Sequence, residues 1–122
     1  VDKGAARAAI FQALMERKIP FIDVGMGLKR KDQGLGGMLR VTYFPTEHGE
    51  EVMRKARAPL RDDPEDLYRA KVQIGELNAL NAALAVTRYK QLRGFYKDLS
   101  DWENLLFDTT DLKSVGVSTG ED

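Results

Sequence analysis

Between Lys71 and Arg93 the chain runs without a proline through Val72, Ile74, Leu77, Leu80, Leu84, Val86, Tyr89 and Leu92. Apolar residues in that pattern predict one long helix, with Gly75 its weak point and Gly94 suited to close its C-terminal end. At 1.5 Å per residue it would be about 35 Å long. Its centre, Leu77 to Val86, is apolar on nearly every side and is broken only by Asn78 and Asn81. A helix of that composition demands cover on more than one flank, so the rest of the chain has to supply layers around it. The same stretch is far short of the ~20 apolar residues that a bilayer requires, which argues against a membrane partner.

The preceding residues supply such layers. Ala6, Ala9, Ile10, Ala13 and Leu14 recur at helical spacing and predict a first helix over roughly residues 3–18. Asp2 is suited to cap it, and Arg17 and Lys18 to complement its dipole before Ile19-Pro20 ends it. Pro20 to Leu28 then reads as a short strand, apolar on both faces apart from Asp23, as in a largely parallel sheet. After a polar turn over residues 29–33, Gly36 to Phe44 reads as a second strand, with the option of a hairpin to the first. Thr46 to Asp66 is charged, holds Pro59 and Pro64, and reads as a crossover loop with a helical turn near Glu50 to Ala56. Asn104 to Thr110 reads as the final strand, and 114–122 is expected to be a flexible tail. The expected fold class is therefore α/β, with a mixed sheet and a long C-terminal helix, in one domain spanning residues 1–122.

Charge and composition exclude several functions. Lys plus Arg and Asp plus Glu each number 19, so the chain has no net charge and no general affinity for nucleic acid or an anionic membrane. There is no cysteine, which removes disulfides, thioesters, persulfides and thiolate zinc sites, and fits the cytoplasm. The one histidine, His48, lies between Glu47 and Gly49 and reads as a solvated loop residue; zinc is not expected. Gly25-Met26-Gly27 is not a dinucleotide fingerprint, because Arg30 stands where the third glycine belongs and no helix follows; these glycines read as positions of close backbone approach. Asn78 and Asn81 share one helix face and suit either hydrogen bonding between helices or a partner groove. Asp23 is either a carboxylate at an active-site end of the sheet or one satisfied by backbone or arginine, and Trp102 reads as an anchor for the last loop.

A helical pattern is already running by Ala6, which suggests that the first half of the structural unit lies before Val1. Asp2 at a strand-to-helix junction, Arg7 five residues on, a helix, and then Ile19-Pro20-Phe21-Ile22-Asp23-Val24-Gly25-Met26-Gly27 resemble the second half of the ThiF and MoeB proteins, the ubiquitin-activating-enzyme-like adenylyltransferases. Ile74 to Val86 running into Lys90-Gln91-Leu92-Arg93-Gly94-Phe95-Tyr96 is similar to the penultimate helix of that family, and Asn104-Leu105-Leu106-Phe107-Asp108 to its closing strand. The resemblance covers nearly the whole chain.

It implies a partial Rossmann-like, ThiF-type fold whose glycine-rich nucleotide loop would precede Val1. It further implies a parent that transfers AMP from magnesium-ATP to the C-terminal carboxylate of a ubiquitin-like or sulfur-carrier protein. Asp2 aligns with the family aspartate that organises metal and nucleotide, while Arg7 reads as a structural ion pair or a solvated side chain. The paired zinc cysteines and the acceptor cysteine of many members are missing from Thr46 to Asp66, which leaves adenylation as the inherited chemistry. The chain alone is then inactive and a homo-oligomer, as in the family. A non-catalytic oligomerisation or interaction module is the alternative.

Overall fold

A computed structural model describes residues 4–118 apart from 48, 50 and 53–73, and the described residues form an α/β arrangement around one four-stranded sheet. In chain order the elements are helix α1 (Gly4–Glu16), strands β1 (Phe21–Lys31) and β2 (Gly34–Phe44), helix α2 (Gly75–Leu92), and strands β3 (Asn104–Asp108) and β4 (Lys113–Val117). The strands lie side by side in the order β1-β2-β3-β4, and every pairing is antiparallel.

The expected mixed sheet is therefore not found among the described residues, and β1 is not the doubly covered strand of a parallel sheet. The reason lies in the turn. Lys31 pairs with Gly34, leaving only Asp32 and Gln33 between two strands, and a connection that short permits only an antiparallel hairpin. Gly34 adopts a φ of 116°, a conformation that a side chain at this point would resist, and so lets the ladder begin directly after the turn. Both strands consequently run further than the polar stretch 29–33 suggested.

Alternation along β2 sends its side chains to opposite faces of the sheet and so creates two separate cores. On one face Leu39 packs with Met26 and Leu28 under Ile74, Leu77 and Leu80 of α2, with Phe107 of β3 alongside. On the other face Phe44 packs with Phe11 of α1 and with Val52, flanked by Met15 and Phe21. The Phe21 and Phe44 rings stack with centroids 4.5 Å apart, and Phe11 leans on both at 5.1 and 5.5 Å. The buried stripe of α1 thus passes through Phe11 and Met15 rather than Ala6, Ala9 and Ile10, which are exposed. A phenylalanine removes far more apolar surface from water than an alanine, so it sets the face that docks.

Helix α1 stops at Glu16, which leaves Arg17 and Lys18 beyond its last turn. The Lys18 N–H donates to the Met15 carbonyl and the Ile19 N–H to the Leu14 carbonyl, the paired bonds of a Schellman ending. Lys18 holds a φ of 55°, left-handed for a residue that carries a Cβ. Lys18→Gly should therefore raise the unfolding free energy by about 0.5–1 kcal/mol. Urea denaturation measures this, and an unchanged midpoint would mean that the ending carries no strain.

Helix α2 is shorter than the span 71–93: it comprises 18 residues, about 27 Å. Ile74 precedes it in an extended conformation without a side-chain cap. Gly94, with φ 85°, closes it through bonds from its own N–H to the Gln91 carbonyl and from the Phe95 N–H to the Lys90 carbonyl, as the sequence suggested. Of the expected loop over 46–66, Gly49 and Glu51–Val52 are helical, and Val52 is buried against Phe11 and Phe44; residues 53–66 lie outside those described. The expected flexible tail is in part the strand β4. Asp108 turns the chain by accepting from the Thr110 N–H and hydroxyl, and Gly116 of the returning strand lies directly under the Trp102 ring, where a Cβ would collide with it.

Candidate functional site

Three polar residues stand side by side across the sheet, Asp23 on β1, Thr42 on β2 and Asn104 on β3, in adjacent register. They share the face that carries Phe44. Arg40, on the same face, joins them: one terminal nitrogen donates to Asp23 Oδ2 at 2.7 Å and the other to Thr42 Oγ1 at 2.7 Å. The Thr42 hydroxyl donates onward to Asn104 Oδ1 at 2.7 Å. From α1, Arg7 reaches Asp23 at 2.5 and 2.6 Å and the Val24 carbonyl at 2.8 Å. Arg40, Thr42 and Asn104 are nearly inaccessible to solvent, at 6%, 0% and 4% exposure. A buried cation is tolerated only with a close counter-charge and directed hydrogen bonds, and Asp23 supplies the charge.

The chemical capacity of this row is bounded by its bonding. Both oxygens of Asp23 are occupied by guanidinium groups, so it is not poised as a base. Two arginines, Arg7 and Arg40, converge on this one carboxylate. Arg7 lies in the early turns of α1, and its bonds to Asp23 and to the β1 backbone fix the N-terminal part of that helix against the first strand. The row is a positioning device.

A second polar centre lies where α2 ends. Arg88 donates to Gln91 Oε1 at 3.2 Å, to Asp98 Oδ2 at 2.9 Å and to Ser100 Oγ at 2.8 Å, and its guanidinium stacks 4.7 Å from the Trp102 ring. Hydrogen bonds from the Ser100 hydroxyl and N–H, and then from Arg88, hold the Asp98 carboxyl below its ordinary range. Asp108 is lowered in the same sense by the Thr110 N–H and hydroxyl, with Lys31 adding a weaker pull.

Both shifts are depressions, so the stability they contribute is complete above about pH 4, the unfolded value, and is lost as pH falls through the lower folded values. Urea midpoints should be level from pH 7 to about 5 and fall below about pH 4. In the double variant Ser100→Ala, Thr110→Ala the acid-dependent part of that fall should shrink. An undiminished acid loss would place its origin elsewhere.

Of the residues singled out in the sequence, the structure brings Arg7 and Asp23 together, as the ion-pair reading of each anticipated. Asn81 is buried, but it donates to the Gly25 carbonyl of β1 at 3.1 Å rather than to another helix, while Asn78 is exposed. That bond ties α2 to the glycine stretch of β1. Trp102 anchors the last loop through Gly116 and Arg88. Asp2, the expected nucleotide and metal residue, and His48 lie outside the described residues.

Sequence reasoning missed Arg40, Thr42, Asn104 and Arg88. A signal for the first two existed: the alternation Arg40-Val41-Thr42-Tyr43-Phe44 puts the polar pair on the same side as Phe44 once the strand is recognised. Among the described residues no group of three or more His, Asp or Glu side chains is arranged to hold a metal ion, and no helix is long and apolar enough to cross a membrane. Comparison with protein-family models, with curated proteins and with solved structures returns no match.

Proposed function

We propose that the chain is the C-terminal portion of a ThiF-like nucleotide-binding domain, whose parent adenylates the C-terminal carboxylate of a ubiquitin-like or sulfur-carrier protein. The observation that carries this reading is the double ion pair of Asp23 with Arg7 and Arg40. It ties the start of α1 to β1, and Asp2 precedes that helix in the sequence. An adenylation site needs a carboxylate for the metal near positive charge, and guanidinium groups tied to the start of α1 support that reading. A further support is β1 itself: it lies at an edge of the sheet, and among the described residues no strand pairs with its outer side, where the strands of a preceding half would add.

In this reading ATP and magnesium belong to the intact parent, cytoplasmic and without zinc. Asp2 would hold the metal and nucleotide, while the described side chains supply scaffold and charge and carry no step of the transfer. In the parent, pyrophosphate exchange into ATP should depend on the carrier protein and fall by about tenfold or more in Asp2→Asn with unfolding unchanged. Exchange that survives the substitution would reduce Asp2 to a helix cap.

A second reading, a non-catalytic oligomerisation module, is favoured by the outward side of α2. Ala79, Ala82, Ala83, Val86 and Tyr89 are all exposed there, Val86 at 55% and Tyr89 at 56%. The two readings separate in the parent, since a module would self-associate yet show no exchange with any carrier.

A further inference from the structure

We draw no further inference here: the strongest candidate, the exposed surface patch on the outward side of α2 formed by Ala79, Ala82, Ala83, Val86 and Tyr89, is a stripe of mostly small residues, and nothing in the structure shows what covers it.

Discussion

Replacing Asp23 by alanine should lower the unfolding free energy by about 3 kcal/mol, the usual cost of removing one member of a buried ion pair. Arg40 makes the loss large. It is 6% exposed, and without Asp23 its guanidinium loses the carboxylate that meets it at 2.7 Å. Arg7 matters less, because its side chain is 31% exposed and water can replace the carboxylate; Arg7→Ala should cost under about 1 kcal/mol.

The double replacement Asp23→Leu, Arg40→Met removes both charges together and should recover most of what Asp23→Ala loses, since well-packed apolar groups often substitute for a buried pair without penalty. Urea denaturation of the variants decides the matter. If Asp23→Ala loses less than about 1 kcal/mol, or if the double variant is no better than the single one, the row is not an electrostatic unit and the placing of α1 has another source.

How far the sequence carries the structure can be seen at particular residues. The end of α2 was legible because Gly94 is the residue type that a left-handed closing position favours. The end of α1 was not, because Lys18 takes the same conformation without the glycine that would announce it. Pro20 to Leu28 reads as doubly buried because it is apolar apart from Asp23, yet Val24 is exposed at the edge of the sheet; burial depends on neighbours that the run itself does not name.

Lys113-Ser114-Val115-Gly116-Val117 is too short and too polar to declare itself a strand, and it becomes one through the Asp108–Thr110 turn and the Trp102 ring resting on Gly116. The candidate site was half visible. Arg7 and Asp23 attract notice as charges beside apolar runs, whereas Thr42 and Asn104 become partners only after the register of three strands has been fixed. That register is long-range information, and no local pattern holds it.

The two cores make a sharper prediction, because β2 contributes to both while the helices do not. Phe44→Ala should cost about 4 kcal/mol and Leu39→Ala about 3 kcal/mol. Each site is almost wholly buried, at 1% and 0% exposure. The losses are expected to differ in kind. Phe44 holds α1 through Phe11, and most of the remaining α1 surface faces solvent, so among the described residues the Phe11–Phe21 contact, Met15, Val52 and the Arg7–Asp23 pair are left to retain the helix. Amides of α1 in Phe44→Ala should therefore exchange through a local opening, faster than those of α2.

Leu39 lies between Met26 and Phe107 on the flanking strands and beneath Leu77 and Leu80 of α2. A cavity there loosens the centre of the sheet, so Leu39→Ala should accelerate exchange in β1, β2, β3 and α2 together. Hydrogen exchange with residue resolution distinguishes these patterns. Uniform acceleration of both helices in Phe44→Ala would mean that the aromatic cluster and the aliphatic one open as a single unit, and that the Arg7–Asp23–Arg40 row couples α1 to the sheet more tightly than its hydrocarbon contacts do.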